Sequence, residues 1–387
     1  MAMMDEAFQG GCCVYLGEVN GELHCRPHIT ADKHSGNLFY WFIGRLTGVT
    51  GEARICLHWP ETSESVKNHV YGGNHNFALV LDRDLFTSTD RKTWERIEGV
   101  ELAGLEARFT VTTDGRPLYI SVGVPFLQSD LQALHEEAIA SPFVRVTEVA
   151  RTPHGRPVRV YAIGTGSKDC LYMQGMQHAS EWAGARVISA MMRYLLSEEG
   201  EPYRERYTWH FCPIVNMDGS IGGLLENHPK NMNRDWVDFQ MPETRGVRNY
   251  LTTLVNTGHR ILYGGDLHMG WSRRDNSGAC LTVYLPDYAD ARTVQCNEDF
   301  ADTVFANTDY TDRKWYMGQD AEQVRLSFKG WLYTRFGAPA QTMEFSRHLY
   351  YIRATDEWVP TAQCYEEAMG PGLVRVMGAF PWDAYRA

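Results

Sequence analysis

Two rhythms of apolar and polar positions divide the 387-residue chain. Up to about residue 125 the apolar positions fall in short, roughly alternating runs: "CVYLGEV", "ARICLHW", "NFALVLD", "LEARFTVTT" and "LYISVGV". Gly, Asn, Asp and Ser turns separate them, and no long helical stretch intervenes. Strand side chains point alternately to two faces, so this rhythm predicts a small antiparallel β-sandwich. The first helical period comes at "PFLQSDLQALHEEAIA", with Ser129 or Asp130 near its N-cap.

Beyond that point strands and helices take turns. "FVRVTEVA" and "VRVYAIG" flank "RTPHGRP" and predict a hairpin, and "CLYMQG", "YTWHFCPIV", "RILYGGDLH", "ACLTVYL" and "AQTMEFS" read as strands. "EWAGARVISAMMRYLLS", "ETRGVRNYLTTLVNT" and "ADARTVQCNEDFADTVFA" read as helices, with a last helix near "TDEWVPTAQCYEEAM". Such alternation predicts an α/β layer with a mixed, mostly parallel sheet flanked by helices. The expected division is a β-sandwich over residues 1–125 and an α/β domain over 126–387. There is no internal repeat and no low-complexity segment.

Composition narrows the setting. Apolar residues make up 44% and charged residues 22%, as in a soluble globular protein. No run of eighteen apolar residues predicts a membrane span. The formal net charge of −11 argues against nucleic acid as a partner. The nine cysteines are irregularly spaced and form no C-x-x-C, the usage of a reducing compartment. The first residues lack a basic segment followed by a long apolar one, so the expected location is the cytoplasm. Oligomeric state is not readable from the chain.

Ligand sites in open α/β sheets gather where strands end. Four polar sets fall at predicted strand ends: His178 with Glu181, Asn233 with Arg234, His268 in "GGDLHMG", and Glu344 in "AQTMEFS". Two histidines and a carboxylate are a known zinc set that leaves a fourth position open, and a further carboxylate nearby suits a general base. Spacing i, i+3 at a turn entering a helix lets His178 and Glu181 face one ion. An H-x-x-E pair alone proves little, because roughly one arises by chance among fourteen histidines. His58 and Glu61 in "HWPE" form such a decoy.

The order of the motifs says more. "GMQHASEWAG", "PIVNMDGSIGG", "NMNRDW", "DLHMG" and "TMEF", read along residues 120–350, resemble the zinc carboxypeptidase family (carboxypeptidase A-like). The β-rich region ending at "YISVGVPFLQSDLQAL" resembles the sandwich that precedes the catalytic domain in its cytosolic branch. The resemblance implies a carboxypeptidase A-like (phosphorylase/hydrolase-like) fold and one zinc ion per chain, held by His178, Glu181 and His268. It implies that Glu344 activates the metal-bound water and that Asn233 and Arg234 hold the substrate's C-terminal carboxylate. The planar fork of Arg suits the last role on its own chemistry.

Several positions depart from the family pattern. Between Asp218 and Asn233 the chain reads "GSIGGLLENHPKNM", without the arginine that steadies the oxyanion in the family, so Lys230 or His228 is left to supply positive charge. Asn231 stands where the family tends to carry an aspartate that orients a zinc-bound histidine. Met217 replaces the proline of Asn-Pro-Asp-Gly, and the interval from Glu181 to His268 is short for the family. Tyr316 is the candidate for the family's mobile tyrosine. Arg273 and Arg274, in "GWSRRDNSG", favour an acidic C-terminal side chain.

The expected activity is therefore a zinc metallocarboxypeptidase acting on a peptide with a free carboxylate. Two alternatives stand beside it. One is a zinc amidohydrolase of the same fold acting on a small N-acyl amino acid or tailored metabolite. The other is a catalytically impaired binding protein.

Overall fold

The computed structural model describes residues 2–28, 30–31, 38–39, 42–59, 85–222, 230–270, 280–281, 288–309, 321–346, 349–352, 354–355, 357–360 and 364–385. The alternating N-terminal runs form two five-stranded sheets. One follows the order Met3–Asp5, Ile43–Thr47, Leu118–Val122, Leu85–Ser88, Glu95–Arg96. The other runs Glu101–Ala103, Glu106–Asp114, Thr50–His58, Glu22–Arg26, Val14–Val19. Every pairing is antiparallel except that of Glu22–Arg26 with Thr50–His58, which is parallel. Inward residues of both sheets, among them Leu46, Leu85 and Ile120 facing Leu23, Ile55 and Phe109, share one apolar core. This is the expected sandwich. "NFALVLD" lies outside the described residues.

The helix Gln128–Ile139 follows, and its N-terminus differs from expectation. Leu127 is the N-cap, and Asp130 sits three residues on, where its carboxylate accepts the Leu127 N–H at 2.6 Å. Asp130 therefore satisfies the helix start from within the first turn.

A seven-stranded sheet occupies the rest: Val144–Arg151, Pro157–Ile163, Thr208–Cys212, Asp169–Gly175, Arg260–Gly270, Ala340–Ser346, Cys280–Leu281. Its three central pairings are parallel and its three outer ones antiparallel, so the sheet is mixed with the parallel part in the middle. Burial explains the pattern. Strands Asp169–Gly175 and Thr208–Cys212 are covered on both faces, so their apolar positions do not alternate with exposed ones. The helix Trp182–Leu196 is likewise buried nearly all round. Of "ACLTVYL", only Cys280–Leu281 is described. The strand content changes completely between Val122 and Val144.

The C-terminal helix begins later than its sequence suggests. Glu357–Pro360 forms a strand paired with Leu349–Ile352, and a π-helical turn at Tyr365–Met369 leads into the helix Gly370–Ala379. Trp358, Val359 and Pro360 suit an edge strand. Pro371 is tolerated in the first helical turn, where its missing N–H is no loss.

The connectivity sets up a crevice. From Asp169–Gly175 the chain returns on one side as Thr208–Cys212 and on the other as Arg260–Gly270. Loops diverge at the carboxyl end of Asp169–Gly175, the place where open α/β sheets bind ligands.

Candidate active site

"GMQHASE" leaves the sheet at this point. Met176 adopts φ +50°, a conformation few non-glycine residues take, while Val215 N–H and Asn216 N–H bond the Gly175 and Met176 carbonyls at 3.1 and 3.0 Å. The turn closes with Glu181 N–H on the His178 carbonyl at 3.1 Å. Glu181 is the N-cap of Trp182–Leu196, yet its side chain makes no cap bond. Its Oε1 lies 2.8 Å from His178 Nδ1 and its Oε2 lies 2.6 Å from His268 Nδ1. The helix can lie against the His268 strand because residue 184 is glycine. A Cβ there would come within 2.4 Å of the Leu267 carbonyl oxygen.

Both histidines are gripped from behind. His178 Nε2 lies 3.3 Å from Asn231 Oδ1. The Asn233 N–H donates to that same oxygen at 2.8 Å, which identifies it as the carbonyl end of the amide. His268 Nε2 donates to Asp266 Oδ2 at 2.9 Å. Asp266 is fully buried and also accepts from Gln174 Nε2 at 3.2 Å and Gln177 Nε2 at 2.7 Å. The Gln177 side-chain oxygen Oε1 in turn accepts Trp236 Nε1–H at 2.8 Å.

With both Nε2 atoms engaged, both Nδ1 atoms converge on the Glu181 carboxylate. One ligand atom from each of the three residues lies within 4.8 Å of the others. Fixing the far nitrogen of a ring through a carbonyl or carboxylate is how proteins prepare a histidine to ligate a metal. The donor set, two neutral imidazoles and one carboxylate, fits zinc. Burial alone would raise the Glu181 pKa, but the two imidazoles outweigh it and hold the carboxyl well below the usual range. For His268 burial works downward, and the Asp266 and Glu181 carboxylates overcome it and raise the pKa.

Glu344 is the register partner of His268 on the adjacent parallel strand. Opposed residues of neighbouring strands share a face, so Glu344 stands beside the ligand set. The residue keeps some accessible surface. Protein nevertheless encloses its carboxyl closely enough that burial, opposed by His268 and His178 and reinforced by Glu181 and Asp266, pushes it up to about 7.

Asn233 and Arg234 lie on the 3-10 turn Met232–Arg234, beside the same cluster. Asn233 Nδ2 is 3.3 Å from His268 Nε2, and Asn233 Oδ1 is buried with no partner among the described residues. Arg234 Nη1 donates to the Asn233 carbonyl at 2.8 Å. Lys230 does not serve as the expected positive donor at the site. Its ammonium lies 2.9 Å from Asp238 and 3.3 Å from the buried Asp235, so its charge is spent holding this loop. Arg273, Arg274, Tyr316 and His228 lie outside the described residues. Asp218, from "NMDG", faces away from the histidines and accepts from Arg156 at 2.6 Å and Thr152 at 2.7 Å, pinning the hairpin turn.

The sequence reading passed over Asp266 and Gln177. A signal was available for Asp266, because in "GGDLHMG" it stands two residues before His268 and hence on the same strand face. Gln177 carried none, since its partner Trp236 lies 59 residues away.

A mixed α/β sheet presenting two anchored imidazoles, a bridging glutamate and a neighbouring carboxylate at a strand-end crevice has the architecture of a carboxypeptidase A-like metallohydrolase. Residues 131–238 match the zinc carboxypeptidase family model. The fold is that of solved metallo-carboxypeptidases. One from Pseudomonas aeruginosa, in complex with (2-guanidinoethylmercapto)succinic acid, superposes with a TM-score of 0.78 at 15% identity over 99% of this chain and 100% of that one. A putative carboxypeptidase A from Shewanella denitrificans gives 0.74 at 18% over 99% of both chains, and a metallo-carboxypeptidase from Burkholderia cenocepacia gives 0.73 at 18% over 98% of both. The likeness therefore extends over the N-terminal sheets. No curated protein sequence matches the chain. The match over residues 131–238 and the shared fold are thus a likeness to zinc carboxypeptidases.

Proposed function

We propose that the protein removes the C-terminal amino acid of a peptide, with His178, Glu181 and His268 holding one zinc ion in the active site and Glu344 acting as general base. The observation that carries this reading is the convergence of both Nδ1 atoms on Glu181 with Glu344 in register beside His268. When bound, zinc supplies a Lewis acid that acidifies water and polarises a carbonyl. Glu344, in register beside His268, takes a proton from the attacking water on a carboxylate oxygen and delivers it to the leaving amine. Asp266 and Asn231 keep the rings from turning.

Asn233 and Arg234 bind the substrate carboxylate. His268 Nε2–H already donates to Asp266, so the Asn233 Nδ2–H beside it is a donor facing a donor. Turning that amide lets Oδ1 face the ring and directs Nδ2–H to the substrate. The succinic acid derivative held by the Pseudomonas aeruginosa relative is itself a carboxylate, which supports such a subsite. Arg273 and Arg274 favour Glu- or Asp-terminated peptides. Equal cleavage of Glu-, Asp- and Lys-terminated peptides of one series refutes that preference. The decisive variant is Glu344→Gln, which retains zinc and loses kcat by about two to four orders of magnitude. Unchanged kcat removes Glu344 from the mechanism.

One observation favours a second reading. The chain has no arginine between Asp218 and Asn233, and Lys230 is tied to Asp235 and Asp238. Reduced stabilisation of a peptide oxyanion suits a smaller, more reactive amide, so N-acyl amino acids are assayed against peptides of matched C-termini. The division into residues 1–125 and 126–387, and the likeness to the cytosolic branch, rest on the sandwich and its separate core. The cytoplasmic location rests on thiols, since the eight cysteines whose side chains are described are free. No helix among the described residues is long and apolar enough to cross a membrane.

A further inference from the structure

A second cluster of metal-ligand chemistry lies far along the chain from His178, in the N-terminal sandwich. His24 and Cys56 are register partners on the parallel strands Glu22–Arg26 and Thr50–His58, and His58 follows Cys56 by two residues. All three side chains therefore share one sheet face. It is the face away from the sandwich core, because the alternate residues Leu23, Cys25, Ile55 and Leu57 fill that core. Cys56 is nevertheless completely buried, while the two imidazoles keep 17% and 30% of their side-chain surface.

The tautomers carry the inference. His24 Nε2 faces Glu22 Oε2 at 3.5 Å, and His58 Nδ1 faces Glu106 Oε1 at 3.3 Å. A carboxylate beside the outward nitrogen of each ring favours the N–H there and the lone pair inward. The inward atoms, His24 Nδ1 and His58 Nε2, lie only 2.7 Å apart, with the rings stacked at a centroid separation of 5.0 Å. Two lone pairs at that distance repel unless a cation stands between or beside them. Cys56 Sγ lies within 4.8 Å of both nitrogens and adds a soft donor that a shared proton has no use for. Arg108, held 2.6 Å from Glu106 and 3.4 Å from Glu22, balances the two orienting carboxylates.

We propose that His24, Cys56 and His58 hold a second metal ion, zinc by their donor set, with a fourth position facing solvent. The ion would clasp the one parallel pairing among the described strands of the sandwich, between Glu22–Arg26 and Thr50–His58. Binding displaces the thiol proton to solvent and widens the nitrogen pair by about half an ångström to reach zinc–nitrogen lengths of about 2.0 Å.

The test uses the full chain, purified without chelators. Emission analysis finds about two zinc ions per chain in the wild type, and about one in Cys56→Ala or in His178→Ala. Cobalt replacement then separates the sites, since only one contains sulfur. A near-ultraviolet thiolate-to-cobalt absorption band is expected in wild type and in His178→Ala, and is lost in Cys56→Ala and in the solvent-side variant His58→Gln. The wild-type band needs no variant to fold. Its absence, or a single zinc ion that disappears with His178→Ala, overturns the proposal in favour of a proton shared by the two rings. That outcome leaves the His178 site untouched, so the two readings fail separately.

Discussion

Glu243 opens the helix Pro242–Asn256 and is fully buried, and neither carboxyl oxygen finds a partner on another described residue. Burial pushes its pKa from 4.5 to about 7; its own amide and Arg245 pull the other way, and the carboxylates of Asp218 and Asp235 add to the rise. A carboxyl whose folded pKa exceeds its unfolded one binds more protons when folded across the interval. The contribution of Glu243 to stability is therefore fully present below about pH 4.5 and is lost as the pH climbs through 7. The interval corresponds to about 3 kcal/mol at 1.36 kcal/mol per pH unit, an upper value for a group free to relax toward water. Glu243→Gln keeps the shape and removes the charge. Urea unfolding of both proteins at pH 5.5 and at pH 8 gives the difference, in which the pH dependence of every other group cancels. We expect the advantage of the variant over wild type to grow by about 2 kcal/mol between pH 5.5 and pH 8. The same difference at both pH values refutes the reasoning, for it means that Glu243 is ionised throughout or has found a partner.

Other consequences are as direct. Asp266→Asn places an amide N–H against a glutamine donor or against His268, and should weaken zinc binding about 10- to 100-fold in a chelator competition; unchanged affinity would show that His268 is oriented by other groups. Gly184→Ala drives a methyl into the Leu267 carbonyl at 2.4 Å. It should lower the melting temperature by several degrees and reduce zinc content together, because the displaced helix carries Glu181 away from His268. A fall in one without the other separates packing from the site.

Much of the site could be read from the chain because ligands at strand ends carry local signals. His178 and Glu181 are three residues apart at a helix start, and Glu344 stands out as a charge on an apolar strand. Pairings across long intervals were less accessible. Nothing near Gln177 announces Trp236, and nothing near His24 announces His58, 34 residues on. In "HWPE" the eye goes to the i, i+3 spacing, whereas the sheet register gives His58 a cysteine two residues back and a histidine on the next strand. The C-terminal helix was placed early because helical composition in "AQCYEEAM" extends toward a segment whose Trp358–Val359–Pro360 prefers an edge strand. Lys230 illustrates the remaining difficulty: sequence shows a charge, but only the fold shows the aspartates that consume it.

The segment from Asn231 to Trp236 touches almost everything of consequence. Asn231 steadies one imidazole, Trp236 steadies the other through Gln177 and Asp266, and Asn233 and Arg234 sit between them. Four of six consecutive residues are thus committed at once, so a mutation that retunes substrate choice here also disturbs the proposed metal site. On the proposed function, diversification toward new substrates has to proceed through loops elsewhere around the crevice, leaving this hexapeptide as a shared keel.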